Sequence, residues 1–298
     1  MIHTHHPHNF LGLEPEFADF DRARAVVLPM PYEATCSYGK GASKGPAAII
    51  EASNQVELWD EELDRETYRM GICTLDPVPP AKDSPESEVA RIREIAAPLL
   101  ERGKFILGLG GEHTVTLGVI QALREVEPEF SVLQIDAHLD LRDEYEGARF
   151  SHASVMRRIS ELGHKIVCCG ARAFDRDEWE YARHSNIDVF RAREIGTSRA
   201  FIPKAVAALK SPVYVTIDLD GLDPQICPST GTPEPGGMDY YQLLALLRAV
   251  SEEHRVLGCD VVELAPDGVN HHSELLAARI AYKMLGYFVK EPDERPEV

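Results

Sequence analysis

Asp136, His138 and Asp140 alternate in Asp136-Ala137-His138-Leu139-Asp140, directly after the apolar run Phe130-Ser131-Val132-Leu133-Gln134-Ile135. Alternate side chains of an extended segment point the same way, so all three can converge at the end of a buried strand. Two carboxylates and an imidazole taken out of water need compensating charge. A divalent cation supplies it, and mixed oxygen and nitrogen donors suit manganese, iron, zinc or nickel better than calcium. A second apolar run, Val213-Tyr214-Val215-Thr216-Ile217, delivers Asp218 and Asp220 at the same spacing. A third, Phe105-Ile106-Leu107-Gly108-Leu109, leads through Gly110-Gly111-Glu112 to His113. Each pattern alone reads equally as a solvated turn or a helix start, but three such strand ends are improbable as coincidences. Four aspartates and two histidines suffice for two cations that share one or two carboxylates, and such a pair can activate water at neutral pH.

Two further residues fall at comparable places. Asp260-Val261-Val262-Glu263 closes another strand pattern, making Glu263 a candidate for binding a cationic group of the substrate. His152 opens a helix pattern after Phe150-Ser151, and an imidazole titrates near neutrality, which suits proton transfer. Gly108-Leu109-Gly110-Gly111-Glu112-His113 also invites a dinucleotide reading, but His113 stands where that fingerprint needs its last glycine. The glycines instead permit a tight turn that brings His113 to a site.

The elements that must position these residues follow from periodicity. Apolar runs predict strands at 25–28, 105–109, 130–135, 165–169, 213–217 and 255–262. Amphipathic patterns predict helices at 46–53, 86–102, 114–126, 152–162, 200–209, 240–253 and 273–287. Alternating strands and helices imply an α/β fold, a three-layer αβα arrangement with a mostly parallel sheet covered on both faces. Ligands of such folds bind beyond the carboxyl ends of the strands, where every candidate residue falls.

The 298 residues read as one domain, with residues 1–20, including His3, His5, His6 and His8, expected to form a loosely ordered N-terminal extension. A hydrophobic content of 44% is enough for a large core. The net charge of −18 argues against nucleic acid or an anionic membrane surface as partner and suits a small cationic substrate. Six cysteines without a CxxC pair read as reduced core thiols. With no signal-peptide pattern and no apolar run long enough for a bilayer, the expected location is cytoplasmic.

Taken together, Gly110-Gly111-Glu112-His113, Asp136-Ala137-His138-Leu139-Asp140, Asp218-Leu219-Asp220-Gly221-Leu222-Asp223-Pro224 and Asp260-Val261-Val262-Glu263 resemble, in order and context, the ureohydrolase family of arginases and agmatinases, and within it the agmatinase branch. The resemblance covers most of the chain. It implies an arginase-like fold, two manganese ions per chain and hydrolysis of a guanidino compound to urea and an amine. By resemblance, one ion is held by His113, Asp136, Asp140 and Asp218, and the other by His138, Asp136, Asp218 and Asp220. Glu263 matches the carboxylate that orients the guanidinium, and His152 the histidine that moves protons. Asp140 carries a proton to the leaving nitrogen, and Thr232 matches a threonine on the substrate side. Self-association as a trimer or hexamer is also implied. Two departures stand out: Glu112 replaces the commoner aspartate, with a longer arm expected to act on His113, and Ala153 replaces a frequent glycine.

The expected substrate is agmatine, yielding putrescine. Asp143 and Glu144, just after the metal motif, would favour a distal ammonium, whereas Arg142 can bind the carboxylate of arginine or guanidinobutyrate. Guanidinopropionate, free guanidine, a formimino substrate and a non-catalytic metal scaffold remain as alternatives.

Overall fold

The computed structural model describes residues 8–290. Eight strands form one sheet: β1 Ala25–Met30, β2 Ile72–Thr74, β3 Phe105–Gly110, β4 Ser131–Ile135, β5 Lys165–Cys169, β6 Ile187–Phe190, β7 Val213–Asp218 and β8 Val256–Val262. Their order across the sheet is β2-β1-β3-β8-β7-β4-β5-β6, and every pairing is parallel. The last of these eight strands therefore lies in the middle, between β3 and β7.

Parallel strands need crossovers, and helices supply them on both faces. Alternation along each strand divides the core into two layers. Val27, Leu107, Leu133 and Val215 face one layer, and Val26, Ile106, Val132 and Tyr214 face the other. Helix ends carry their own start signals. Ser84 Oγ accepts the Ser87 N–H at the head of the helix Pro85–Glu101, and Asp239 and Gln242 form a reciprocal cap on Tyr240–Glu253.

The expectation of a loose extension over residues 1–20 is corrected within the described residues. Phe10 is fully buried, and Leu11 and Leu13 pack in the same core layer. The amides of this segment are satisfied from the folded body: Phe10 N–H donates to Thr74 Oγ1 at 2.8 Å and Leu11 N–H to Ser53 Oγ at 2.7 Å. His3, His5 and His6 lie outside the described residues. The short strands β2 and β6 were not read from periodicity, because three or four residues give too few alternations to count, and the nine-residue helix Arg176–His184 was also passed over, being mostly polar.

Candidate metal centre and active site

Four neighbouring strands, β3, β8, β7 and β4, deliver the site at their carboxyl ends. After β3, Gly111 passes so close to the Tyr32 carbonyl oxygen that an added Cβ would stand 2.0 Å from it. Only glycine fits there, and the turn carries His113 into the sheet's edge. His113 N–H donates to Glu263 Oε1 at 2.7 Å, which locks the ends of β3 and β8 together. Asp140 and Glu263 both hold left-handed backbone, with φ of 53° and 66°. Residues other than glycine rarely do so without a compensating role.

Two donor groups converge. His113, Asp136 and Asp140 form one, and Asp136, His138 and Asp220 form the other. Asp136 belongs to both: its Oδ2 lies 3.3 Å from His113 Nδ1 and its Oδ1 3.6 Å from His138 Nδ1. Asp140 Oδ2 and Asp218 Oδ2 lie 3.1 and 3.5 Å from His113 Nδ1, and Asp220 Oδ2 lies 3.0 Å from His138 Nδ1. Backbone amides and side chains fix the carboxylates. Asp136 Oδ1 accepts the His138 N–H at 2.6 Å and its Oδ2 the Gln134 amide at 2.8 Å; Asp220 Oδ1 accepts the Ala137 N–H and its Oδ2 the Thr232 hydroxyl, each at 3.1 Å.

The electrostatics call for cations. Burial, with the charge of Asp136, pushes Asp140 up to about 7, and burial with the charges of Asp220 and Asp136 pushes Asp218 well above the carboxylate range. Burial opposes charge on His138, but Asp136 and Asp220 outweigh it and raise its pKa to about 12. His113 Nδ1 is the decisive atom: it is buried, surrounded by three carboxylate oxygens, and makes no hydrogen bond. An orphaned buried nitrogen facing oxygen donors fits a divalent cation of the manganese type.

A carboxyl–hydroxyl–imidazole chain prepares that nitrogen. Thr216 Oγ1 donates to Asp260 Oδ1 at 2.5 Å, and Tyr214 and Thr116 hydroxyls donate to Asp260 Oδ2 at 2.7 and 2.9 Å. With its one proton so used, Thr216 accepts from His113 Nε2 at 2.9 Å, leaving Nδ1 with its lone pair toward the carboxylates. Thr216→Val keeps the shape and removes the acceptor. Metal affinity is expected to fall about 10–100-fold, as for other outer partners of metal-binding histidines. A competition titration with a chelator measures it, and unchanged affinity would free Thr216 from this role.

A cavity of about 390 Å³ opens on this cluster. His138, Asp140, His152, Asp218, Asp220, Thr232 and Glu263 line it, so the structure brings all of these expected residues together. Burial lowers the pKa of His152, and burial followed by the charge of Glu112 raises that of Glu263.

Asp143 and Glu144 are a correction: neither lines the cavity. Asp143 points to solvent and pairs with Arg158 at 2.7 Å and Arg149 at 3.4 Å, because those cations flank its turn. The expected action of Glu112 on His113 is also corrected. Its longer arm reaches the loop after β1, where it accepts the Ala34 and Thr35 N–H groups, each at 2.7 Å.

Sequence reading also passed over residues that build the site. Asp175, Glu178, Tyr145 and Phe174 line the cavity. Arg142 lines it too, but its guanidinium is engaged by Asp175 at 2.9 Å and stacks over the Tyr145 ring. Arg172 donates to the carbonyl oxygens of Gly170, Asp220, Leu222 and Glu234, tying the loops after β5 and β7 to segment 234–235. Polar residues inside apolar strand runs, Thr216 and Asp260, were the available signal for the chain behind His113.

A parallel αβα sheet whose central strand ends gather aspartates and histidines around a cavity is the frame of a metal-dependent hydrolase. The chain matches the Arginase family over residues 23–286, and it belongs to that family. It is 41% identical over 292 residues to an N(1)-aminopropylagmatine ureohydrolase of Synechocystis sp., covering 96% of this chain and 95% of the relative. It is 35% identical to an agmatinase of Bacillus subtilis over 94% of this chain and 96% of the relative. The solved agmatine ureohydrolase of Thermoplasma volcanium superposes with a TM-score of 0.82 at 26% identity, covering 90% of this chain and 91% of that one. The chain is thus a hydrolase acting on guanidino compounds, and the resemblance read from the motifs is borne out. Among the described residues no helix is long and apolar enough to cross a membrane.

Proposed function

We propose that this chain is a manganese-dependent ureohydrolase of N1-aminopropylagmatine, releasing urea and the corresponding polyamine. The layout of the cavity carries the reading. Its buried end holds the carboxylate cluster and Glu263, while the more exposed Asp175, with Phe174 and Tyr145, lines the rest. A guanidinium at one end and amines along an alkyl chain match that distribution. Similarity to the Synechocystis protein supports the longer substrate. Agmatine, the sequence-based expectation, is the second reading, supported by similarity to the Bacillus subtilis agmatinase.

His113, Asp136, Asp140 and Asp218 would hold one ion and His138, Asp136, Asp218 and Asp220 the other. Bound divalent ions supply Lewis acidity and lower the pKa of water. The protein does the rest. Glu263 Oε1 is engaged by the His113 N–H, which leaves Oε2 for a charge-assisted hydrogen bond from the guanidinium. Thr232 fixes Asp220. Water gives a proton to Asp140 as its oxygen adds to the guanidinium carbon, the bond from that carbon to the alkyl nitrogen breaks, and Asp140 passes that proton to the leaving nitrogen. His152 exchanges protons between the cavity and solvent.

Urea release by the manganese-loaded protein tests this with N1-aminopropylagmatine, agmatine, arginine, guanidinobutyrate and guanidine side by side. kcat/KM is expected to be highest for N1-aminopropylagmatine. Arginine and guanidinobutyrate should fall at least about 100-fold below it, since a carboxylate would meet Asp175 and Glu178 while Arg142 is engaged, and like-charge contact costs several kcal/mol. Faster turnover of agmatine selects the second reading. Preference for a guanidino acid would overturn both.

A further inference from the structure

The loop after β1 contributes nothing to the reaction as described above, yet it is wired into it. Glu112 is fully buried and accepts five hydrogen bonds, from the Ala34 and Thr35 amides, from the Thr35 and Thr114 hydroxyls at 2.7 and 2.6 Å, and from the Cys36 thiol at 3.8 Å. Thr35 Oγ1 also accepts the His152 N–H at 3.1 Å and lies 3.1 Å from His152 Nδ1. A threonine hydroxyl has one proton and two lone pairs. The proton goes to Glu112, the shorter contact, so toward the ring the oxygen is an acceptor. Nδ1 must then carry the hydrogen, and Nε2 is left with the lone pair. The arrangement repeats, with other residues, the Asp260–Thr216–His113 chain. In one chain the bare nitrogen faces the carboxylate cluster; in the other it belongs to a ring that lines the cavity.

We propose that Thr35, its hydroxyl oriented by Glu112, is a positioning residue that sets the Nδ1–H tautomer of His152 and so makes Nε2 the proton acceptor. This rests on the reading of His152 as the proton-exchanging group. A neutral imidazole in the other tautomer presents a hydrogen where the reaction needs a lone pair. It would stay bound in the same place and fail at proton transfer, which is worth roughly 10²–10⁴ in rate when a group is well positioned. The longer arm of glutamate at 112 reaches two loop amides and the Thr35 hydroxyl at once, which accounts for the departure from aspartate noted in the sequence.

The test is Thr35→Val, which keeps side-chain bulk and the Thr35 backbone bond to Glu112 and removes only the hydroxyl. Thr35→Ser restores it. kcat, KM and metal content are measured for both, and Thr35→Val is repeated on a His152→Ala background. The expected result is a kcat about 10–100-fold lower for Thr35→Val, with KM and metal content kept. Serine should recover most of the rate, and valine should bring no further loss once His152 is gone, since coupled residues are non-additive. A normal kcat for Thr35→Val, failure of serine to rescue, or full additivity on the His152→Ala background would overturn the proposal. His152→Ala turning over at the normal rate would instead remove the reading on which it rests, and the two failures are distinguished by that single variant.

Discussion

Asp136→Asn is expected to lose metal and turnover together. Asp136 is fully buried, and its two oxygens face different imidazoles, Oδ2 toward His113 and Oδ1 toward His138. Asparagine keeps the size but gives up the charge and one acceptor. Whichever way the amide turns, an NH2 group faces one of the two donor sets. The deficit reaches both proposed ions, so the loss in kcat should exceed the roughly 10–100-fold seen when a mere outer partner of a ligand is removed. Metal analysis and urea release on the same preparation measure it. Full metal stoichiometry in the variant would refute the shared role.

Glu263→Gln should behave in the opposite way: metal kept, rate lost. The glutamine carbonyl oxygen can still accept the His113 N–H that joins the ends of β3 and β8, so the donor groups stay in place. What disappears is the negative charge opposite the guanidinium. Breaking a buried, hydrogen-bonded charge pair costs about 2–5 kcal/mol, so kcat/KM should fall by roughly 30- to 5000-fold. An unchanged kcat/KM would take Glu263 out of guanidinium binding. Glu263→Ala is the less informative variant, since it also frees the His113 amide.

Much of this site was legible because its residues directly follow apolar strand runs. Asp136, His138 and Asp140 follow the end of β4, and Asp218 and Asp220 close β7 and open the 3-10 turn Leu219–Gly221; the turns, with Asp140 in left-handed backbone, bring them together. The cavity's other wall was not legible. Asp143 and Glu144 were favoured because they follow the metal motif in sequence, but neither lines the cavity, and Asp143 is turned toward Arg158 and Arg149. Asp175 and Glu178, which do line the cavity, come from the loop and helix after β5 and from no motif. Local sequence distance could not tell these pairs apart, because the cavity is assembled from loops that only the sheet order makes neighbours. Thr35 was invisible for the same reason: its partners Glu112 and His152 lie 77 and 117 residues away. The N-terminal segment misled in another way. Terminal position suggested looseness, while Phe10-Leu11-Gly12-Leu13 carried the apolar surface that docks it.

The place of β8 in the sheet sets a timetable for synthesis. The last of the eight described strands to be made, Val256–Val262, is the one inserted between β3 and β7. Until it emerges, the half of the sheet bearing His113 has no hydrogen-bonded link to the half bearing Asp136, His138, Asp140, Asp218 and Asp220. A nascent chain that stops before β8 can pair β4 with β5 and β7, and β5 with β6; it already carries all six donors, but His113 stands on a part of the sheet not yet joined to the other five. Capture of the proposed ions by the full set therefore waits for β8. Such long-range closure is slow and leaves sheet edges open while it waits. Ribosome-bound chains ending before and after β8 should differ sharply in manganese uptake, and the step between them dates the birth of the site.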